Sequence, residues 1–99
     1  MSLEEVRAEI TRIDEEIINL IAQRQSLADK IAAIKQQEGI PVHESQRKTD
    51  VLGYVMRLSD ANHIDPAPMR TIFETLIAMN EKEQRAAMTR SAPPKKLVR

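Results

Sequence analysis

The stretch "VRAEITRIDEEIINLIAQRQSLADKIAAI", residues 6–34, is the most informative segment of this 99-residue chain. Its large apolar residues recur at alternating steps of four and three, which is the a/d repeat of a coiled coil. One position of the repeat carries an arginine, Arg24, where an apolar residue is expected. The repeat predicts one long helix with a continuous seam, formed by Val6, Ile10, Ile13, Ile17, Leu20, Arg24, Leu27, Ile31 and Ile34.

Helix signals bound this stretch on both sides. Ser2 is a candidate N-cap, and Glu4 and Glu5 suit the positive end of a helix dipole. Gly39 is the expected stop, so we predict a helix from about Leu3 to about Gln37. Such a helix is roughly 50 Å long, whereas a compact domain of this size is only about 25 Å across. The chain cannot cover its own seam, and a partner chain is the natural cover.

The rest of the chain also favours helices. It holds one Phe, one Tyr, no Trp and two glycines, a composition that disfavours a sheet. A second helix is predicted over about residues 45–62, and a third runs from Pro66, with Asp65 as N-cap, to about Met88. The predicted inward faces comprise Val51, Leu52, Val55, Leu58 and Ser59, then Met69, Ile72, Phe73, Leu76 and Ile77.

We therefore predict an all-α fold of three helices, one very long. Residues 1–90 form the domain, and residues 91–99, "SAPPKKLVR", are expected to be a disordered basic tail.

Composition excludes several classes of function. Lys plus Arg and Asp plus Glu both number 15, so there is no net basic charge to indicate nucleic-acid binding. The chain has no cysteine, and no apolar run approaches the roughly 20 residues of a membrane span. His43 and His63 lie in predicted turns without metal-ligand spacing, so no metal site is expected. With no signal peptide at the N-terminus, a cytoplasmic setting is expected.

Polar residues interrupt the apolar faces of all three helices. Lys35 follows Arg24 by eleven residues, which places both on one face, about 16 Å apart. Arg47 lies on the apolar face of the second helix, and Asn80 and Gln84 continue that of the third. A lone seam arginine more often sets the register or snorkels than binds a ligand. The joint pattern of cations and amides, without inward histidines or paired carboxylates, favours a small pocket for a polyanion.

Arg7 cannot serve that pocket within its own chain. It precedes Arg24 by seventeen residues, which is about 25 Å along the helix and about 100° around it. Across an antiparallel dimer, Arg7 of one chain can reach the pocket of the other.

Four segments carry a family resemblance: "VRAEITRIDEEIINLIAQR" at 6–24, "AAIK" at 32–35, "IPVHESQRK" at 40–48 and "NEKEQ" at 80–84. Together they resemble the all-helical chorismate mutases from about Val6 to about Ala87. The resemblance implies an intertwined homodimer that converts chorismate to prephenate, in phenylalanine and tyrosine biosynthesis, without a cofactor.

The resemblance also implies roles for individual residues. Arg24 and the partner subunit's Arg7 would bind the two carboxylates of chorismate. Lys35 and Gln84 would donate hydrogen bonds to the ether oxygen of the breaking bond. Lys35, Gln84 and Arg24 are thus the expected catalytic residues, and no metal or cofactor is implied.

Four further positions complete the expected substrate site. Arg47 would support the carboxylate end, Asn80 stands where the family often has a small polar residue contacting a carboxylate, and Glu44 replaces an aspartate near the substrate hydroxyl. Lys48 stands where the family has a glutamate that holds this hydroxyl. Isochorismate-pyruvate lyases of the same fold also lack that glutamate, so a lyase is an alternative. A non-catalytic helical dimerisation or regulatory module is another.

Overall fold

The protein is described here by a computed structural model that covers residues 1–91 and contains three helices. These are α1 (Leu3–Glu38), α2 (Ser45–Ala61) and α3 (Pro66–Ser91). The prediction of an all-α chain with one very long first helix is confirmed. Ser91, placed in the tail by the sequence, is the last residue of α3. The rest of the predicted disordered tail, residues 92–99, lies outside the described residues.

The capping residues predicted at the ends of α1 and at the start of α3 are confirmed. The Ser2 hydroxyl accepts from the backbone N–H of Glu5 at 3.1 Å, and the Glu5 carboxylate accepts from that of Ser2 at 3.3 Å. This reciprocal capping box satisfies two donors at the start of α1. Gly39 ends α1 with a φ of 71°, a left-handed conformation that costs glycine little. At α3, Asp65 accepts from the Ala67 N–H at 3.1 Å.

α3 packs against both other helices and makes the core. Two alanines of α1, Ala28 and Ala32, are almost fully buried, which allows α1 and α3 to approach closely. The buried apolar residues are Ala28, Ala32, Leu52, Val55, Leu76 and Ala87. Two residues predicted to face inward are instead exposed: Leu58 at 47% and Ile72 at 50%. The prediction is wrong for these two residues because helical periodicity shows which residues share a face of a helix, but not whether another element covers that face. No other part of the described chain covers Leu58 and Ile72.

The first half of α1 extends away from this core. Every residue from 3 to 20 is exposed, including Ile10, Ile13, Ile17 and Leu20 of the seam. The radius of gyration is 18.2 Å, against about 13 Å for a compact domain of this length. The chain therefore leaves this half of its seam uncovered, as the length of the helix predicts. Within residues 1–91, no helix is both long enough and apolar enough to cross a membrane.

Candidate functional site

A pocket of about 290 Å³ lies between the second half of α1, α2 and α3. The segment that joins α1 to α2, residues 39–44, closes one side and is called the connector below. Seven of the eight predicted site residues line the pocket: Arg24, Lys35, Glu44, Arg47, Lys48, Asn80 and Gln84. The other lining residues are Leu27, Ile31, Val42, Val51, Ile77 and Glu81. The structure therefore brings together residues that are up to 60 positions apart in the sequence.

Lys35 is the most enclosed cation of the pocket, at 8% exposure. Its ammonium group donates to the Val42 carbonyl at 2.7 Å and lies 3.6 Å from a Glu44 carboxylate oxygen. Both partners belong to the connector, and they offset the cost of removing the charge from water. An ammonium has three N–H donors. Lys35 thus keeps donor capacity for a bound molecule while the connector fixes its position.

The turn at Gly39 brings the connector to Lys35. The backbone carbonyl of Lys35 accepts from the Gly39 and Ile40 N–H groups, the latter at 2.9 Å. The chain therefore reverses directly beside Lys35, and Val42 and Glu44 return to its side chain.

Two amides of α3 form a directed hydrogen-bond chain with α1. Asn80 donates through Nδ2 to the backbone carbonyl of Arg24 at 2.8 Å. Because a carbonyl can only accept, Asn80 must turn its Oδ1 toward Gln84, whose Nε2 donates to it at 2.7 Å. The backbone of Arg24 thereby sets the orientation of both amides. The buried Gln84 Oε1 is left without a partner, and one N–H of Nε2 remains for a ligand.

Arg24 contacts an aromatic ring and has no ion pair with a carboxylate among the described residues. Its guanidinium carbon lies 6.0 Å from the centroid of the Phe73 ring, within the range of a cation–π contact. One guanidinium nitrogen, Nη1, is buried and has no hydrogen-bond partner. A buried, unpaired donor on a cation is costly unless an anion binds to it. The arginine in the seam therefore places a buried donor without a partner at the pocket.

The pocket carries an excess of positive charge. Four of its lining residues are cations and two are carboxylates. Within residues 1–91, Lys35 is the only one of these cations with an ion pair to a carboxylate. Arg47 is exposed at the rim, and Lys48 is half-buried. Such a pocket is suited to a small molecule with more than one negative charge.

The sequence alone did not indicate a histidine–carboxylate pair at the pocket wall. Glu81 of α3 lines the pocket, and its Oε2 lies 3.0 Å from Nδ1 of His43 in the connector. Glu81 belongs to the stretch "NEKEQR", which resembles an ordinary solvated helix face, and His43 resembles a turn residue. The available signal was the position of Glu81, next to Asn80 and one turn before Gln84.

Arg7 is the predicted site residue that the single chain does not bring to the pocket. It is exposed in the first half of α1, and helix geometry places it about 25 Å from Arg24 along the axis. Across the described part of the chain, no group of three or more His, Asp or Glu side chains is arranged to hold a metal ion.

Comparison with known proteins places this chain in a family. The family described as chorismate mutase type II matches residues 6–85, which include all of α2, most of α1 and α3, and every lining residue. The chain belongs to that family. The family resemblance predicted from the four sequence segments is thereby confirmed. As a type II chorismate mutase domain, the chain forms the pocket from the second half of α1, the connector, α2 and α3.

Individual relatives agree with this family. The chorismate mutase of Methanocaldococcus jannaschii is 36% identical over 83 residues, which are 84% of each chain. The bifunctional chorismate mutase/prephenate dehydratase of Aquifex aeolicus is 40% identical over 57 residues, 58% of this chain and 16% of that protein. The bifunctional enzyme of the same name from Escherichia coli K12 is 28% identical over 83 residues, 84% of this chain and 22% of that protein. The similarity to the bifunctional proteins is thus confined to a small part of each.

Proposed function

We propose that this chain is a chorismate mutase, which converts chorismate to prephenate in its cationic pocket as a step toward phenylalanine and tyrosine. The family match and the similarity to a chorismate mutase over 84% of the chain support this activity. The observation that carries it is the buried Nη1 of Arg24, an unpartnered donor in a pocket with more cations than carboxylates.

The first task of the site is to hold the substrate in its reactive shape. Chorismate carries two carboxylates and rearranges within one molecule, so no nucleophile or cofactor is required. Arg24 binds one carboxylate through its unpartnered nitrogen, and Arg47 supports the carboxylate end from the rim. Fixing both ends of a flexible reactant removes much of the entropic part of the barrier.

The second task is to stabilise charge on the ether oxygen as its bond to carbon breaks. Lys35 donates an N–H that the connector does not use, and Gln84 donates the second N–H of its amide. Because the connector and Asn80 already hold these groups, little reorganisation is needed during the reaction. Glu44 and Lys48 lie near the substrate hydroxyl in this arrangement. The second carboxylate takes its arginine from another chain.

We propose that the active form is an intertwined homodimer in which the partner subunit's Arg7 completes each pocket. The support is the exposed seam of α1, whose isoleucines and leucines a second copy would bury. In a two-fold dimer, residues far apart on one chain come together across the interface.

Subunit mixing tests the shared site. Arg7→Ala and Arg24→Ala chains should each be inactive, but a mixed dimer contains one intact site, formed by Arg24 of the first chain and Arg7 of the second. After statistical exchange, about a quarter of the parent activity should return. No recovery, with exchange verified by a mass-tagged subunit, would overturn the contribution of Arg7 from the partner.

The reaction itself is tested by product analysis. Purified protein should remove the absorbance of chorismate and form prephenate. Formation of salicylate and pyruvate from isochorismate, with chorismate unchanged, would establish the lyase alternative instead. Absence of turnover and of any ligand-induced rise in melting temperature would favour a non-catalytic module.

A further inference from the structure

The pocket wall contains two carboxylates, and each has its own partner. A fixed negative charge repels a dianionic substrate unless a donor or a cation compensates it. Glu44 is compensated by the ammonium group of Lys35 at 3.6 Å. Glu81 has no lysine or arginine within ion-pair distance among the described residues. Its compensation comes from His43 alone.

The geometry of this contact fixes its direction. Nδ1 of His43 lies 3.0 Å from Oε2 of Glu81, and a carboxylate oxygen can only accept. Nδ1 therefore carries the hydrogen in this contact, whether the ring is neutral or protonated. The Glu81 side chain is 17% exposed and lies on the pocket wall, whereas His43 lies outside the pocket lining and is 47% exposed. The imidazole thus holds the carboxylate from the outer side.

We propose that His43 is a positioning residue that gives this pocket its affinity for a dianion, because its Nδ1–H holds the Glu81 carboxylate away from the bound substrate. This inference rests on the proposed chorismate mutase function. Without His43, the Glu81 side chain is free to turn toward the pocket cations that have no carboxylate partner among the described residues, and it competes with the substrate carboxylates for them. The cost appears in substrate affinity rather than in folding.

The position of His43 in the connector adds a smaller effect. It stands between Val42 and Glu44, the two residues that hold the Lys35 ammonium group. The contact with Glu81 fastens this short segment to α3, so its loss also loosens the setting of Lys35. We expect a small decrease in kcat beside a larger increase in KM.

The test is a set of four variants with initial rates on chorismate and calorimetric binding of prephenate, the dianionic product. His43→Ala should raise KM and the Kd for prephenate about five- to tenfold. His43→Asn, which places an amide N–H near the position of Nδ1, should recover most of the loss. Glu81→Gln should leave KM within about twofold of the parent, because it removes the repelling charge itself. The double variant His43→Ala/Glu81→Gln should bind like Glu81→Gln.

The double variant separates this role from simple bracing. If the contact were only a brace, Glu81→Gln and His43→Ala would impair the enzyme alike, and the double variant would recover nothing. That result would overturn the proposal. Arg90→Ala is the matched control, since it removes an ion pair of 3.1 Å between α3 and Asp29 of α1 outside the pocket. It should leave KM unchanged.

Failure of the two proposals can be distinguished. A parent protein that binds prephenate and leaves chorismate unchanged contradicts the proposed function, and the variants can still be ranked by Kd. A parent that converts chorismate, with all four variants sharing its KM, contradicts the role of His43.

Discussion

The two halves of α1 carry the same apolar repeat and have different surroundings. From Ile21 onward, the helix packs against α3 and contributes buried Ala28 and Ala32. From residue 3 to residue 20, every side chain is exposed. Fourteen residues before Ala28 and Ala32 stand Asp14 and Ile18, a carboxylate and a large side chain where close packing needs small ones. The seam alone therefore does not decide which half the chain covers.

The large apolar residues of α1 and its small residues therefore indicate different things about packing. The large apolar residues of the seam mark a surface that has to be buried, and the alanines beside it allow α3 of the same chain to pack against the second half. Two seam residues of that half, Leu27 and Ile34, still remain 49% and 52% exposed. α3 packs against the second half of α1, and this half contributes Arg24 and Lys35 to the pocket. In the proposed dimer, the first half packs against the other copy. Substitutions in each half can therefore test the two halves separately.

Ile17→Asp should disrupt the proposed dimer contact of the first half of α1. In the proposed dimer it buries a carboxylate in the seam of both subunits, at a cost of about 2–4 kcal/mol for each copy. Analytical ultracentrifugation should show dissociation, and chorismate turnover should be lost with it because Arg7 no longer reaches a second pocket. Ile18→Asp is the control, since Ile18 is 65% exposed and lies beside the seam. Equal sedimentation of both variants would contradict the seam as the interface.

Lys35→Ala should impair catalysis in the pocket formed by the second half of α1. It should leave the proposed dimer contact of the first half intact. Removal of one preorganised donor to a developing oxyanion lowers kcat by about 10²–10³. The variant should remain helical by circular dichroism and should sediment like the parent protein. Lys30→Ala, on the exposed side of the same helix, should keep its turnover. An unchanged kcat for Lys35→Ala would remove Lys35 from the mechanism.

Much of the fold could be predicted because its signals are local. Ser2, Gly39 and Asp65 act within one turn of the chain, and the structure places each at the helix end that its chemistry predicts. The pocket residues Arg24, Lys35 and Gln84 could be proposed because a polar side chain on an apolar stripe is conspicuous in one sequence.

Other features depend on contacts between distant elements. His43 and Glu81 are ordinary residues of a turn and a charged helix face until the connector meets α3. The orientation of Gln84 follows from the Arg24 carbonyl, 60 residues earlier, through Asn80. Leu58 and Ile72 are apolar residues at helical spacing, and nothing in that spacing shows that the described chain leaves them exposed.

Ala28→Leu tests the packing that distinguishes the halves. Ala28 has no exposed surface, so a larger side chain must push α1 away from α3, at a cost of about 1–3 kcal/mol. We expect a melting temperature lower by several degrees in thermal unfolding monitored by circular dichroism. Ala22→Leu, at an exposed position of the same helix, should unfold like the parent protein. Equal melting temperatures for the two variants would show that α1 and α3 are not closely packed at this point.

Asn80→Ala should give the smallest effect. It tests whether the hydrogen bond from Asn80 to α1 sets the orientation of the Gln84 amide. It removes the acceptor of Gln84 Nε2 and leaves that amide free to rotate, so kcat should fall about tenfold, equivalent to about 1.4 kcal/mol. Asn80→Asp can still accept from Gln84, but it cannot donate to the Arg24 carbonyl and adds a negative charge, so KM should rise as well. Asn62→Ala, which removes a similar bond of 2.8 Å to a backbone carbonyl far from the pocket, is the control for kcat and KM. If Asn80→Ala and Asn80→Asp raised KM equally at unchanged kcat, Asn80 would contact the substrate directly and would not act through Gln84.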